Sequence, residues 1–349
     1  MGINVNDLAN EFEFEGNTFI EGVFQLVNTM RSAQGDEIVI ESYYITGKNT
    51  GRTFVGIERI RNAQGDLAIP AEISGCAVMS IGEEAFEWCK NLTSLTIPAT
   101  VTRIALGALR DCKRLKAFSV ADDNPKFKSV SGLLLTKDGK TLVRGVNGDV
   151  TIPDGVTCIG DSAFSGLSGL TSVTIPDSVK IIGDAAFVWC DGLASMTIPS
   201  GVTAIGAAAF AHCCGLLDKK GFFVVRDVLY SYCGGEENVV IPDNVKVIGA
   251  GAFMCMGWGG DGFTNVTIRN GVIEIGEEAF FCCCKLMSVT IPNSVTRIGE
   301  HAFLYTALKS VYVSDGDANR VKKLFLDSKH DIKGVNFIES KNRWFVKTS

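Results

Sequence analysis

The chain has 349 residues, of which 46% are hydrophobic and 21% are charged, so it can bury a large core and is not a disordered polypeptide. Its formal net charge of −6 argues against a general binder of nucleic acid or of anionic membranes, because such proteins need a basic surface. No apolar run approaches the ~20 residues of a membrane-spanning helix.

The N-terminal region, residues 1–66, lacks the repeat that fills most of the chain. Thr18 and Glu21 have the spacing of a helix capping box. Residues 37–47, EIVIESYYITG, are typical of a strand. We expect this region to form an N-terminal cap, since the open end of a repeat array exposes core side chains. A helix in this cap is indicated by the spacing of four apolar residues: Ile20, Val23, Phe24 and Val27.

A repeat of 23 residues follows. Residues 173–195 read VTIPDSVKIIGDAAFVWCDGLAS, and the pattern starts again at residue 196 with MTIPSGVTAIGAAAF. Alignment on the pair Ala-Phe gives eight units within residues 67–313, and longer steps mark insertions. The aligned positions are Phe86, Leu109, Phe164, Phe187, Phe210, Phe253, Phe280 and Phe303.

Each unit has the alternation of a strand rather than the period of a helix. In LTSVTIP, Leu170, Val173 and Ile175 are predicted to face inward, while the hydroxyl residues between them largely face outward. The proline then ends the strand, because it cannot donate to a ladder. A glycine such as Gly183 comes later in most units, where we expect a positive φ or the close approach of a neighbouring backbone.

One unit is too small to fold alone. The conformational entropy lost on ordering the 23 residues of a unit outweighs the free energy gained by burying its inward side chains. Stacking of successive units closes this gap, because their strands pair in a parallel sheet and like side chains form internal ladders.

The pattern I-P-x-x-V-x-x-I-G-x-x-A-F-x-x-C-x-x-L-x-x-V/M-x-I-P resembles the BspA-type leucine-rich repeat family, found in bacterial surface proteins and in some protist ones. The resemblance covers roughly residues 67–313. It implies a right-handed, curved, horseshoe-like leucine-rich repeat solenoid, mostly β with short turns or helices, and with a parallel sheet on one face. Family members with a known role usually serve in adhesion or binding at the cell surface, and the resemblance implies no chemistry.

Insertions interrupt the repeat near residues 119–150 and 217–240. The first contains LLLTKDGKTLV and the second FFVVRDVLYSY, and both patterns predict a β-hairpin. These hairpins resemble those found between repeats of the family. A shorter insertion at 256–265 is glycine-rich and predicts an exposed loop that carries Trp258.

Residues 314–349 follow the last unit. The stretch DANRVKKLFLDSKHDIKGVNFI predicts a short amphipathic helix with Val321, Leu324 and Phe325 on one face, and then a strand. We expect this segment to form the C-terminal cap.

Twelve cysteines suggest either disulfides, a metal site or core packing. Five lie three residues after the aligned Phe or Leu, in a slot that holds Met, Leu or Thr in other units, so we expect a column of buried thiols. Stacked coils would separate these sulfurs by ~5 Å, which is too far for a disulfide. Cys213–Cys214 and Cys282–Cys284 are the places where further thiols could oxidise or bind metal. The slot cysteines are Cys89, Cys112, Cys190, Cys213 and Cys283.

A catalytic or cofactor site has little support. His212 is adjacent to Cys213, which raises the alternative of a cysteine hydrolase, but neighbouring residues of a tight coil point in different directions. The chain has three histidines, and it contains no C-x-x-C pair with partner histidines, no P-loop and no dinucleotide fingerprint. We therefore predict no catalytic residue, no cofactor and no metal ion.

A variable position recurs two residues after the aligned Phe or Leu, and we call this set the ridge: Trp88, Asp111, Gly166, Trp189, His212, Cys255, Cys282 and Tyr305. Exposed aromatic side chains on a ridge would anchor a partner, whereas packing on the next coil is the alternative. The hydroxyl-rich outward row of the strands could bind a protein or glycan, or it could be a plain solvated face. The candidate partner-binding residues are Trp88, Trp189, His212, Trp258 and Tyr305.

The predicted function is that of a non-enzymatic repeat protein whose extended surface binds a macromolecular partner, a protein or a glycan, in an adhesion-like role. A metal- or thiol-dependent enzyme that uses the cysteine-rich coils, or a purely structural spacer, are the alternatives. The indications for localisation conflict. The resemblance favours secretion or the cell surface, whereas the lack of a visible export signal and the many cysteines expected to be unpaired favour a reducing compartment.

Overall fold

A computed structural model describes residues 25–31, 37–46, 53–254 and 262–340. The chain divides into two compact units, Met1–Val179 and Lys180–Ser349. Both consist mainly of short β-strands, and no helix of the described segments is long and apolar enough to cross a membrane.

The first unit contains a series of strands that begins with long antiparallel ones and continues with short ones, two to seven residues in length. They are β1 (Gln25–Arg31), β2 (Glu37–Thr46), β3 (Thr53–Arg61), β4 (Gln64–Ala68), β5 (Glu72–Ile73), β6 (Cys76–Ile81), β7 (Asn91–Ile97), β8 (Arg103–Ile104), β9 (Ala117–Val120), β10 (Phe127–Val130), β11 (Leu133–Thr136), β12 (Thr141–Arg144), β13 (Gly148–Thr151), β14 (Cys158–Ile159) and β15 (Leu170–Thr174).

Parallel pairing stacks the coils of the first unit. Strands β4, β7 and β9 form one parallel sheet, in which Leu67, Leu95 and Phe118 are cross-strand partners and are all buried. A second, shorter ladder joins β3 to β6 and β6 to β8, with Ile57 opposite Ile81. Residues 53–68 therefore form a coil of the same kind as those that follow.

The N-terminal region is β-structured where the structure describes it. Strand β2 pairs antiparallel with both β1 and β3, which confirms the strand predicted at 37–47. Val27 lies in β1 opposite Glu41, so the helix predicted to reach Val27 is wrong at that residue, because strand pairing overrides the local apolar period. The cap at 1–66 stays a prediction. Thr18, Ile20, Glu21, Val23 and Phe24 lie outside the described residues.

The second unit contains shorter strands and one α-helix among its described residues. They are β16 (Ile181–Ile182), β17 (Ser195–Thr197), β18 (Ala204–Ile205), a 3₁₀ turn (Cys214–Leu216), β19 (Phe222–Val225), β20 (Val228–Tyr232), β21 (Asn238–Val240), β22 (Val247–Ile248), β23 (Asn265–Thr267), β24 (Glu274–Ile275), β25 (Ser288–Ile291), β26 (Arg297–Ile298), β27 (Ser310–Ser314), α1 (Ala318–Asp327) and β28 (Asn336–Ser340).

Two parallel ladders organise the second unit as well. One runs through β21, β23, β25, β27 and β28, and its central partners are Val239, Val266, Val289, Val311 and Phe337. The other joins β20, β22, β24 and β26. The predicted leucine-rich repeat architecture, with coils stacked through parallel sheets, is confirmed.

The aligned Phe and Leu side chains form a fully buried set, which we call the column. Their rings stack on one another in the second unit, with centroids 4.6 Å apart for Phe253 and Phe280 and 5.0 Å apart for Phe280 and Phe303. Each burial contributes roughly 1.5–3 kcal/mol. No more than 1% of the side-chain surface is exposed at Phe86, Leu109, Phe164, Phe187, Phe210, Phe253, Phe280 and Phe303.

The C-terminal segment is an altered last coil. Helix α1 buries Val321 and Phe325, and the Phe325 ring stacks on Phe303 at 5.0 Å, so the helix extends the column. Strand β28 then pairs with β27. The predicted helix and strand are confirmed, and the role of 314–349 as a cap stays a prediction.

Both predicted hairpins are present. In the first insertion, β10, β11 and β12 form an antiparallel meander. In the second, β19 and β20 are joined by Arg226 and Asp227, whose φ values of 50° and 65° are those of a tight primed turn that matches the strand twist.

Three long polar side chains attach the irregular segments to regular coils in the same way. Each donates hydrogen bonds to two carbonyl oxygens of a P-x-x-V turn in the preceding coil, which gives these oxygens partners. The groups are Asn124 with Pro98 and Val101, Arg226 with Pro199 and Val202, and Arg320 with Pro292 and Val295.

The repeated glycine is required by close approach rather than by φ. A Cβ on Gly82 would lie 2.9 Å from the Ile57 oxygen, and a Cβ on Gly249 would lie 2.8 Å from the Leu229 oxygen. Each glycine N–H donates to that same oxygen, at 2.7 Å and 2.8 Å. Of the two explanations offered by the sequence, the structure selects the second.

Candidate binding surface

Every described residue of the ridge has a left-handed backbone, with φ from 57° at Tyr305 to 72° at Gly166. For a residue other than glycine this conformation costs ~1–2 kcal/mol. It persists because the turn is held by hydrogen bonds between coils, such as the one that Trp88 N donates to the Arg110 oxygen at 3.1 Å. The backbone of the ridge is therefore set by stacking, whichever side chain it carries.

The ridge side chains differ in exposure. Trp88 is 56% exposed and Tyr305 is 65% exposed. Trp189 is half-buried and stacks on His212, with ring centroids 3.9 Å apart and planes 4° apart. The ridge side chains therefore pack at one place and are exposed at two others, and partner binding stays a prediction. The fifth candidate, Trp258, lies outside the described residues.

In the first unit, Trp88 stands at the edge of a pocket of about 970 Å³. Three cations share this pocket with the indole ring: Arg59, Arg61 and Lys90. The Lys90 Nζ lies 5.3 Å from the centroid of the indole ring, within reach of a cation–π interaction. Glu87 also lines the pocket, so its lining combines three cations and one carboxylate with the indole ring.

Sequence reasoning missed the two arginines. They belong to β3, in the region treated as a cap, and they line the pocket beside Trp88 because β3 lies in the coil before it. Their spacing in ERIR, two residues apart in a strand, is the signal that places both on one face. Arg59 pairs with Glu84, and Arg61 pairs with Glu41 at 2.7 Å.

In the second unit, the Trp189 and His212 stack rests on a small apolar cluster outside the column. Phe281, which follows the column residue Phe280, also packs on this cluster and contacts Tyr305 edge-on with ring centroids 5.5 Å apart. The ridge of this unit therefore has an apolar base. The buried members of the cluster are Val188, Ala208, Ala211 and Met254.

Some hydroxyls of the outward row are hydrogen-bonded to a carboxylate on the first strand of a parallel sheet, β4 in one sheet and β13 in another. Asp66 accepts hydrogen bonds from Thr93 at 2.8 Å and from Ser94 at 2.6 Å. Asp149 accepts the equivalent pair of bonds from the next strand, both at 2.7 Å. The Ser94 hydroxyl, and after it that of Thr93, lowers the pKa of Asp66. These hydroxyls hold a carboxylate in place, and the rest of the face stays polar.

The slot cysteines are buried, as predicted, and the structure adds a reason for a thiol there. The Cys112 Sγ donates to the Phe86 oxygen at 3.3 Å, and the Cys213 Sγ donates to the Phe187 oxygen at 2.9 Å. These two carbonyls belong to the preceding coil, whereas Thr306, which fills the slot in the last unit, donates its hydroxyl at 2.8 Å to the oxygen of Phe303 in its own coil. The slot therefore suits a small side chain that can donate to a column carbonyl, of the preceding coil for the two cysteines and of its own coil for Thr306.

In the coil whose slot holds Leu167, Arg144 donates the hydrogen bond to the column carbonyl that a slot cysteine donates in other coils. Its buried guanidinium donates to the Leu109 oxygen at 2.9 Å and to the Ser165 oxygen at 2.7 Å. A third bond, at 2.5 Å, reaches the Ser162 oxygen. These bonds satisfy buried carbonyls that would otherwise lose their partners.

The thiols of three slot cysteines, Cys89, Cys112 and Cys213, are poor nucleophiles. Burial raises the pKa of Cys89 to about 11 and that of Cys112 to about 12, and it raises the pKa of Cys213 as well. Because the thiolate is the reactive and metal-binding form, these groups are inert near neutral pH.

The pair of His212 and Cys213 does not form a nucleophile and a base. The His212 ring stacks on Trp189, while the Cys213 thiol points inward to the Phe187 oxygen. Burial lowers the pKa of His330, which packs on Phe325. Within the described ranges, no group of three or more His, Cys, Asp or Glu side chains is placed to hold a metal ion.

The sequence matches one family of repeat proteins. The family model of the BspA type leucine rich repeat region matches residues 72–131, 147–220 and 224–344, in 6 copies. Curated proteins give no match. The chain is similar to the solved structure of a leucine rich cell surface protein from Faecalibacterium prausnitzii, with 22% identity over 89% of this chain and 94% of that one and a TM-score of 0.37. A leucine-rich repeat protein from Eubacterium ventriosum has 22% identity over 70% of this chain and 66% of its own, with a TM-score of 0.43. One from Bacteroides ovatus has 21% identity over 86% of this chain and 98% of its own, with a TM-score of 0.31.

Proposed function

This chain belongs to the BspA-type leucine-rich repeat family, and from that premise we propose that it is a non-enzymatic protein whose ridge binds a macromolecular partner, a protein or a glycan. The binding is adhesion-like and takes place at the cell surface, as for family members with a known role. The single observation that carries this proposal is the exposure of Trp88 and Tyr305.

Neither ring is needed to build the coil that carries it. Gly166 occupies the same position with the same backbone and is accommodated without a side chain. An exposed aromatic ring returns little of the free energy that its burial in the core would give. Aromatic residues left exposed in this way are the usual anchors of binding surfaces.

The pocket beside Trp88 gives this surface a chemical preference. Lys90 lies over the indole ring, and Arg59 and Arg61 line the same pocket, so an acidic group of the partner can pair with Lys90 while its apolar part packs on the ring. Both an acidic peptide and an acidic glycan meet this description.

The absence of catalysis is part of the proposal. An enzyme that used the cysteine-rich coils would need a thiolate close to a base. Burial of Cys112 and Cys213 raises the pKa of both thiols and so opposes their thiolate forms. The histidine next to Cys213 is engaged in a ring stack instead.

The experiment measures binding of the full chain to two immobilised panels, purified extracellular-matrix proteins and defined glycans that include acidic ones. Trp88→Gly and Tyr305→Gly remove each ring while keeping a residue that suits a positive φ. Leu106→Ala and Ile273→Ala are matched controls, because both side chains are exposed apolar groups outside the ridge.

We expect at least one probe to bind, and each ridge variant to weaken that binding by about tenfold or more, as loss of an aromatic anchor does. The two controls should change it less than about twofold. Binding that is indifferent to both ridge variants, or no binding to any probe as a spacer would show, would contradict the proposal.

A further inference from the structure

Two cysteines outside the slot lie in contact in the second unit. The Sγ atoms of Cys214 and Cys233 are 3.2 Å apart, although the residues are 19 positions apart in the sequence. Cys214 is exposed at the start of the 3₁₀ turn, and Cys233 is half-buried directly after β20. Both are thiols in this structure.

We propose that Cys214 and Cys233 form an oxidation site, which reacts with a small-molecule disulfide such as oxidised glutathione to give an intramolecular disulfide bond. Sulfur atoms already in contact need only a small side-chain rotation to reach the ~2.05 Å of that bond. The site is independent of the ridge and of any partner that the ridge binds.

The reaction balances as two exchanges. The Cys214 thiolate attacks one sulfur of the small disulfide, forms a mixed disulfide and releases one small thiolate. The Cys233 thiolate then attacks Cys214 Sγ and releases the second small thiolate. The two protein thiols are oxidised by two electrons, the small disulfide is reduced to two thiols, and the two protein protons end on those thiols.

Access makes this pair selective. The oxidant has to reach a sulfur atom from solvent, and Cys214 is the exposed member of its pair. Cys213, the preceding residue, has Cys190 as a neighbour, but both are fully buried slot cysteines. Cys284 is exposed as well, so its reaction with the same oxidant serves as an internal reference.

The bond would fasten the inserted hairpin to the coil that carries His212. Cys233 N donates to the Gly221 oxygen at 3.0 Å, which closes the open end of the hairpin formed by β19 and β20. A disulfide from this point to the 3₁₀ turn restricts the unfolded and locally opened states more than the closed one.

The test treats the folded full chain with oxidised glutathione, blocks remaining thiols after denaturation, and maps tryptic peptides without reduction. Cleavage after Lys219, Lys220 and Arg226 separates Cys214 from Cys233, which is the one cysteine of its peptide. We expect a cross-link between peptides 181–219 and 227–246, localised to Cys214 by fragmentation. Cys284 should carry only a mixed disulfide.

The cross-link should vanish in Cys214→Ser and persist in Cys284→Ser, which removes the other exposed thiol of the described region. In the oxidised protein, amides of β19 and β20 should exchange hydrogen about tenfold more slowly or more, and reduction should reverse this. A mixed disulfide that stays on Cys214 with Cys233 still open to alkylation would overturn the proposal. A cross-link that forms only after denaturation, or with Cys213, would do so too.

Discussion

The column and the ridge lie two residues apart along the same turn and repeat in step, but different forces hold them. At the column, side chains of one kind are buried against one another, as with the stacked rings of Phe253, Phe280 and Phe303. At the ridge, the backbone conformation repeats and the side chain does not, from Gly166 to Trp88.

The comparison separates what builds a coil from what the coil displays. Burial of the column supplies the free energy for stacking, and hydrogen bonds between stacked coils then impose the left-handed turn on the ridge. Because the same left-handed turn accepts side chains as different as those of Gly166 and Trp88, the ridge residues are free to differ.

The largest effect is expected from a break in the column. Phe280→Ala removes a ring packed between two others and should lower the free energy of unfolding of the second unit by about 3–5 kcal/mol. Phe280→Leu is the matched control, because Leu109 fills the same position, and should cost about 1–1.5 kcal/mol. Urea denaturation followed by circular dichroism measures both. Equal costs for the two variants would show that volume in the column is unimportant.

A smaller effect is expected where Arg144 replaces the thiol of the slot. Arg144→Met keeps much of the side-chain volume but leaves the oxygens of Leu109 and Ser165 without this donor, at a cost of about 2–4 kcal/mol. The same denaturation experiment measures it. A neutral substitution would mean that water reaches these carbonyls and that the slot needs no donor.

The column and the ridge also show which features could be predicted from the sequence and which could not. The column and both hairpins could be predicted, because burial repeats at a fixed step and turn residues have local signatures. The left-handed ridge could not, since Trp88 and His212 give no local sign of a positive φ that contacts between coils impose. The pocket beside Trp88 escaped for the same reason, as Arg59 comes from a strand whose place in the stack only the structure reveals.

Alkaline pH should destabilise the protein through the buried thiol of Cys112. Burial raises the pKa of Cys112 from 9.0 to about 12, so the unfolded chain loses this proton at lower pH than the folded chain. Its stabilisation is complete below about pH 9 and is lost as the pH rises toward 12. The free energy of unfolding should fall over that window, and less steeply in Cys112→Ala. Equal slopes in the unchanged protein and in Cys112→Ala would locate the loss elsewhere.

The smallest effect on stability is expected at the ridge itself. Trp88→Gly gives up the contacts of a ring that is 56% exposed and relieves a backbone held at a φ of 62°, so the two changes oppose each other. The net change in the free energy of unfolding should stay within about 1 kcal/mol. Trp88→Val, with a β-branched side chain at the same positive φ, should cost more than the glycine although it keeps more apolar surface. If glycine proves the more costly of the two, Trp88 stabilises the coil by side-chain packing, as the column residues do, and the backbone conformation is not the deciding factor.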